Sequence, residues 1–503
     1  MKAVRAAGWA AATALALRGA SGTVNAASSL RWLRTASEAR YEELGVRFTV
    51  VVPLLREQAL VGDLAGRLTQ LAGTHPGTRV ALVTTEAEYA AREHGVRRAA
   101  ELAGALAAGT RPDRIVSRFL GLLPAGALEG LADAAHGQDH ARCRELTDAA
   151  LGACRPTPEL AAELAASCEV ITHYHYPERD GGMVHQLNYA IRAETGRARA
   201  AGDSLERLFL VIYNADSQPH PATLNAAAAL VANRENAAGG PVLLIQQPTV
   251  FTANMTGLGG GLPGMVLAGA GWLQSRWTLS REIPRLRRQT AAARAGRLLM
   301  PLAHCVGHGL MIRADLFEEL GGLPESTVNE DLAFGYLACA AGIPIDPLPL
   351  LEEADTPVTV GSWLGQARQW FASYPQYPRA AALAAAAGYG TPARRAWLTV
   401  QGLARGGLWL GQSPAVALAV VLPIMARRRG LACLLAVAGL AGYYAVPSWL
   451  AARAAGRPLD PARALPGGLA AMLLSSVGPW RCLADTAAGV LTGTARAKRK
   501  TER

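Results

Sequence analysis

From Arg47 onward, short runs of consecutive apolar residues alternate with alanine-rich stretches of helix-forming composition. The runs are RFTVVVP at 47–53, RVALVTT at 79–85, EVITHYHY at 169–176 and LFLVIYNAD at 208–216. Unbroken apolar strands separated by helices predict an α/β fold around a mainly parallel sheet buried on both faces. Residues 96–164 are almost wholly helix-forming and read as a helical insertion between the second and third strands.

A different pattern follows. Gly430 to Ala452 runs 23 residues without a charge, enough to span a hydrocarbon layer of roughly 30 Å. Ala464 to Trp480 is a shorter candidate, and the apolar region from Ala396 to Ala426 is interrupted by Arg405. The expected organisation is therefore an N-terminal segment at 1–46, a catalytic-type α/β domain at 47–385, and a membrane region at 386–503 with two to four helices and a basic tail. Arg394, Arg395, Arg427 to Arg429 and the arginines and lysines of 496–503 favour the cytoplasmic side, which leaves Arg453 and Arg457 on the far side of a hairpin. Residues 1–46 carry Lys2, Arg5 and an apolar run from Ala6 to Leu17, followed by Val24-Asn25-Ala26. That arrangement fits either an interfacial amphipathic helix or a secretory leader with a small-residue cleavage site.

Charge and cysteine usage narrow the chemistry. The net charge of +11 is almost all arginine, since Lys2, Lys498 and Lys500 are the only lysines. A phosphate-loop lysine and a Schiff-base lysine are thereby excluded. No zinc-finger or RNA-binding signature accompanies the charge, so nucleic acid is not the expected partner; anionic headgroups and phosphorylated substrates are. The seven cysteines, Cys143, Cys154, Cys168, Cys305, Cys339, Cys433 and Cys482, include no C-x-x-C pair, which speaks for a reducing compartment.

In open α/β sheets ligands bind beyond the carboxyl ends of the strands, so polar residues just after the apolar runs are the first candidates. Asn214 and Asp216 leave the fourth run two residues apart, as hard oxygen ligands suited to Mg²⁺ or Mn²⁺ on a diphosphate; an Asx turn is the plain alternative. Asn329-Glu330-Asp331 opens a helical stretch, where Asp331 fits a general base and helix capping is the competing reading. Gly307-His308-Gly309 is a flexible loop whose histidine suits an acceptor contact. His304 and His308 have a spacing that binds zinc on a helix, but the glycines oppose a helix there. In WLGQARQWFASYPQYP, Gln366, Arg368, Gln369 and Trp370 combine oxygen-binding groups with a stacking ring.

Taken in order, these motifs resemble the membrane-bound family 2 glycosyltransferases, the group of the cellulose, chitin and hyaluronan synthases. The resemblance covers about Arg47 to Arg379. VVVPLLREQ is similar to the first-strand motif with its Pro53 and Glu57, NAD to the D-x-D metal motif, NED to the T-E-D motif, and QARQW to Q-x-x-R-W. It implies a GT-A fold and inverting, metal-dependent transfer of a sugar from a nucleotide-sugar donor to a lipid-linked or glycan acceptor. The enzyme would sit at the inner membrane, multi-pass, with the catalytic domain cytoplasmic and with a membrane partner or homo-oligomerisation open to it. By resemblance Asp216, with Asn214, holds the metal; Asp331, with Glu330, is catalytic. Pro53, Glu57, Thr85, Glu86, Asn188, Gln366 and Arg368 face the donor, and His308 and Trp370 the acceptor. Three departures stand out: Asn214 replaces an aspartate, Gln369 takes the usual arginine position, and Met183 stands where a lysine is common. They motivate two alternatives, a catalytically silent sugar-nucleotide-binding scaffold and, from the few membrane segments, a processive synthase that needs a partner.

Overall fold

The computed structural model describes residues 2–34, 45–97 other than 59, and 155–492 other than 238, 239 and 427, with isolated positions between 130 and 149. It begins with a 32-residue helix, α1 (Lys2–Leu33). The chain divides into two compact units, Arg47–Asp216 and Met1–Val46 with Ser217–Arg503. The boundary between these units falls after Asp216, inside the NADS sequence.

The first unit contains β1 (Arg47–Pro53), α2 (Val61–Gly73), β2 (Arg79–Thr85), α3 (Glu86–Arg97), α4 (Thr157–Ser167), β3 (Ile171–Tyr176), α5 (Met183–Ala200) and β4 (Leu208–Ile212). All its pairings are parallel: Thr49 lies opposite Arg79, Arg47 opposite Leu208, and Val80 opposite Ile171. Six of the seven residues of β1 and of β2 are buried, as unbroken apolar strands require. α2 covers the sheet with Val61, Leu64, Ala65, Leu68, Leu71 and Ala72, a stripe at helical spacing. A carboxylate of α5 is admitted to this core. Glu194 is fully buried and accepts from Tyr174 Oη at 2.7 Å and Arg197 Nη2 at 2.7 Å, so its charge is paired and hydrogen-bonded as burial demands. Most of the expected insertion at 96–164 lies outside the described residues.

The second unit continues with α6 (Thr223–Asn236), β5 (Leu244–Gln246), β6 (Thr249–Val250), α7 (Gly261–Trp277), a π-helical segment at Thr278–Glu282, α8 (Ile283–Arg294), β7 (Leu310–Arg313), α9 (Ala314–Glu319) and α10 (Glu330–Ala341). Then come β8 (Asp346–Pro347), β9 (Glu352–Glu353), α11 (Val360–Phe371), α12 (Tyr377–Ala386), α13 (Pro392–Leu410), α14 (Gln412–Met425) and α15 (Arg429–Leu440). A second π segment (Ala441–Ala445), α16 (Val446–Ala455), α17 (Pro461–Leu474) and α18 (Val477–Thr492) complete it. β5 pairs antiparallel with β7 and parallel with β8, and β6 pairs parallel with β9. The protein is thus built on a mainly parallel, mixed sheet with helices.

α1 belongs to this second unit. Its Leu15 and Ala16 meet Gly439, Gly19 meets Gly442, and Ala26 packs with Leu450 and Ala451, so α1 runs parallel to the helix at 429–455. A side chain at Gly19 would come within 2.8 Å of the Tyr443 backbone nitrogen, which explains a glycine there. The residues that imitate a leader's cleavage site have another use in this packing. A π segment leaves main-chain carbonyls without their regular helical donors, and α1 supplies replacements. Asn25 donates to Ser280 O at 3.2 Å, Ser29 to Leu279 O at 2.7 Å and Thr23 to Gly442 O at 3.1 Å.

Among the described residues, one helix, Arg429–Ala455, is long and apolar enough to cross a membrane; α13 and α14 would form a second only as a pair bent by 45°. The candidate at Ala464 to Trp480 is not one helix. It breaks at Ser475 and Ser476, whose polar groups bind Trp409 and Ser413 of the neighbouring helices. Arg457 pairs with Glu353 at 3.0 Å and Arg463 donates to Gly259 O at 2.7 Å, so the loop after α16 lies against the sheet-bearing part of its own unit. Opposite charge on Glu353 draws Arg457 there. The basic tail at 496–503 lies outside the described residues.

Candidate active site

In the first unit the strand ends are fastened by side chains from the helices behind them. Pro53 closes β1 in a buried position, and the Gln186 amide of α5 donates to Leu54 O at 3.0 Å and Val83 O at 3.3 Å. Arg56, in the loop that follows, has φ of 57°, the one positive value outside glycine among the described residues. Such a conformation persists only where its surroundings enforce it. Glu88 does so: its buried carboxylate accepts from Arg56 N at 2.7 Å, Gln58 Nε2 at 3.0 Å and Thr157 N at 2.7 Å. Glu57 reaches the same anchor through its backbone, donating to Thr157 Oγ1 at 3.0 Å. Glu88 was missed in the sequence, although Thr85 and Glu88 stand in capping-box spacing.

The other donor-side candidates are distributed around this framework. Thr85 is buried and its hydroxyl accepts from Ala87 N at 3.2 Å, a helix-start contact. Glu86 lies 3.3 Å from His175 Nε2 and 3.5 Å from Arg179 Nη2. His175 and His173 both bond Thr84 Oγ1, and burial followed by the neighbouring His175 pushes the His173 pKa down. Asn188 is buried in α5. At the end of β4, Arg67 Nη2 donates to Ala215 O at 3.3 Å, fixing the turn that carries half-buried Asn214 and buried Asp216. The two offer an amide and a carboxylate oxygen, a donor set that fits a hard divalent cation.

In the second unit His308 is buried, with Nδ1 3.1 Å from Ser217 Oγ and 3.3 Å from Glu352 Oε1. Glu352 is fully buried and its other oxygen accepts from Thr249 Oγ1 at 3.1 Å. Neither Glu352 nor the organiser of the loop, Gln246, was found in the sequence. Gln246 Nε2 donates to His308 O at 2.8 Å, and its Oε1 accepts from Val306 N at 2.8 Å. Gly309 has φ of 68°, and a side chain there would strike Gln247 Cβ at 2.6 Å. Nearby Glu282 has its pKa raised to about 8, chiefly by burial. His304 faces other partners, Tyr377 Oη at 2.9 Å and Arg405 Nη1 at 3.3 Å, and burial pushes its pKa down.

The NED and QARQW motifs come together. Asn329 does not cap α10 with its side chain; the amide nitrogen instead donates to Gln369 O at 3.0 Å and to Ser373 Oγ at 2.5 Å. Glu330 is buried, and half-buried Asp331 follows it in the first turn of α10. Asp331 accepts from Gly307 N at 2.9 Å and from Leu332 N at 2.7 Å, so one carboxylate ties the glycine loop to the helix start. Trp370 is half-buried, its ring centroid 6.0 Å from Phe251, which in turn makes an edge contact with His308. Gln366 is buried, and its Oε1 has no hydrogen-bond partner among the described residues. Arg368 pairs with Asp485 of α18 at 2.5 Å, which gives it a structural anchor that the motif alone did not suggest.

Comparison with known proteins gives a partial match. Residues 269–447 match glycosyl transferase family group 2. That segment contains His308, Asp331, Gln366, Arg368 and Trp370; Asn214 and Asp216 precede it. No curated protein matches the chain. Among solved structures, the mannosyltransferase PcManGT from Pyrobaculum calidifontis, in complex with GDP-Man and Mn²⁺, is similar at 16% identity and a TM-score of 0.43. The match covers 96% of this chain and 99% of that one. S. aureus TarS 1–349 is similar at 12% identity and a TM-score of 0.35, covering 86% and 92%. Both structures are too distant to carry weight for this chain, and the family match does not reach the synthase subgroup. On the family match, which spans about a third of its length, the chain is a glycosyltransferase similar over residues 269–447 to glycosyl transferase family group 2.

Proposed function

We propose that the protein has a GT-A fold and transfers one sugar, with inversion, from a nucleotide-diphosphate donor to a lipid-linked or glycan acceptor at the cytoplasmic face of the inner membrane. The observation that carries this reading is Asp331, held at the Gly307–Gly309 loop by its contact with Gly307 N and joined through Asn329 to the helix of Gln366 and Trp370. The Asp331 carboxylate takes the acceptor hydroxyl proton as the new oxygen–carbon bond forms and the bond from the anomeric carbon to the diphosphate breaks. The second Asp331 oxygen stays on the main chain of α10, which holds the base in one orientation. Trp370 offers the acceptor a stacking face, and His308, fixed by Glu352, a polar one.

On the donor side, Glu88 holds the loop that carries Arg56 and Glu57 in the shape we assign to the nucleotide. Asp216 and Asn214 would hold Mg²⁺ or Mn²⁺, which when bound offsets charge on the leaving diphosphate. Membrane attachment is supported by the apolar helix at Arg429–Ala455 and by exposed Val420, Val421, Ile424, Leu431, Leu434 and Val437.

The test is release of nucleoside diphosphate from a panel of UDP- and GDP-sugars by membranes carrying the wild type or Asp331→Asn, with Mn²⁺ or with chelator. Removing a general base should lower turnover by about 10²- to 10⁴-fold while donor binding persists. Wild-type donor binding without release in the presence of candidate acceptors would overturn the reading in favour of a silent scaffold.

A further inference from the structure

The second unit gathers a cluster of cations at the Tyr443 ring. Arg276 of α7 is 4% exposed, with its guanidinium carbon 4.0 Å from the centre of the Tyr443 ring. Arg18 of α1 approaches the same ring at 5.6 Å. Arg281 joins them, donating through Nη2 to Arg18 O at 3.1 Å. Tyr443 is held by its own hydroxyl, which donates to Gln412 Oε1 at 3.0 Å. Among the described residues none of the three arginines pairs with a carboxylate, and the buried Arg276 Nε has no hydrogen-bond partner. Glu282, next to Arg281, supplies no counter-charge at neutral pH because burial keeps it protonated up to about pH 8. Burial and then the neighbouring Arg18 push the Arg281 pKa below its ordinary value.

Three guanidiniums gathered in a partly dry place repel one another, and buried charge is ordinarily paired. The backbone is irregular here as well. Arg281 and Tyr443 sit in the two π segments, Thr278–Glu282 and Ala441–Ala445, and such bulges are frequent at functional sites. Arg18 and Arg281 are half-buried, so the cluster opens to the surface, and that surface changes character beside it. Leu17, next to Arg18 on α1, is exposed. Planar guanidiniums suit phosphate oxygens, and a phosphate would supply the negative charge that this cluster lacks.

We propose that Arg18, Arg276 and Arg281 form a binding site for a phosphate group, which either an anionic lipid headgroup or free phosphate supplies. The site is independent of the catalytic assignment, because it is read by binding and not by turnover. The full chain, in uncharged detergent, is titrated with phosphatidylglycerol, phosphatidylcholine and inorganic phosphate. Wild type should bind phosphatidylglycerol at least about 10-fold more tightly than the Arg18→Gln/Arg281→Gln variant, given the usual contribution of each basic residue at an anionic surface. Arg428→Gln, which removes charge from the separate open cleft lined by Arg5, Trp9, Arg428 and Leu431, should bind as wild type does. Displacement of the lipid by millimolar inorganic phosphate would identify free phosphate as the ligand, and resistance would identify the headgroup; both support the site. Equal binding by wild type and the double variant, or an equal loss in Arg428→Gln, overturns it. A second measurement needs no substitution: protection of Arg18 and Arg281 from an arginine-directed dicarbonyl reagent, mapped by peptide mass spectrometry. Protection by phosphatidylglycerol or inorganic phosphate but not by phosphatidylcholine is expected, and its absence overturns the proposal.

Discussion

The two compact units hold their candidate residues in place by different means. In Arg47–Asp216, parallel strands deliver Pro53, Thr85 and Asp216 to strand ends, and the helices behind need only fasten those ends through Gln186 and Arg67. In the unit of Ser217–Arg503 the strands are two to four residues long. There the geometry around Asp331 and His308 rests on side chains that reach across long stretches of sequence, namely Asn329, Gln246 and Glu352. A long strand positions whatever follows it, because its ladder is satisfied whatever the side chains are. Irregular backbone has no ladder, and each of its carbonyls and amides needs a named partner.

The largest expected effect tests the one place where the first unit departs from this contrast. Glu88→Ala removes a charged acceptor from two backbone amides and the Gln58 amide, and should cost about 3 kcal/mol or more at one to three per charge-assisted bond. Chemical denaturation and proteolysis at residues 55–58 would register it. An unchanged stability would mean that the strands alone hold that loop. Asn329→Ala in the second unit should cost about 2 kcal/mol by loss of its bonds to Gln369 and Ser373, and lower turnover about tenfold with donor affinity nearly unchanged, as expected when a base is misplaced. Steady-state kinetics with stability measured in parallel separates the two.

The third effect is pH-dependent. Burial raises the Glu282 pKa from 4.5 to about 8 in the fold, so between those values the folded protein keeps a proton that the unfolded chain has lost. Its contribution to stability is therefore full below about pH 4.5, declines to about pH 8 and is flat above. Glu282→Gln lacks that titration, and its thermal midpoint should gain on the wild type by roughly 5 °C or more between pH 5 and pH 9. A constant difference across that range would reject the buried neutral acid. Smallest of all, Arg56→Gly should relieve a left-handed residue worth about 1 kcal/mol, partly offset by greater freedom in the unfolded chain. A loss of stability instead would show that the Arg56 side chain holds the loop beyond its backbone.

The four long strands were legible in the order of residues, because consecutive apolar residues bounded by polar ones have few ways to be buried. RFTVVVP and RVALVTT are β1 and β2 to the residue. That order also marked Asp331, Trp370 and His308 as positions of interest, since polar groups beside small residues and strand or helix ends stand out in one dimension. Packing in three dimensions was needed to show that α1 is a packed helix of the second unit, that Ser475 and Ser476 break an apparent span, and that Arg368 is anchored by Asp485. It alone revealed Glu88, Gln246 and Glu352 and gathered Arg18, Arg276 and Arg281 around Tyr443. The physical reason is range. Burial and helical period act between neighbours in the chain, whereas the partner of a buried polar group is chosen by whichever carbonyl, amide or charge the packing leaves unsatisfied, often hundreds of residues away.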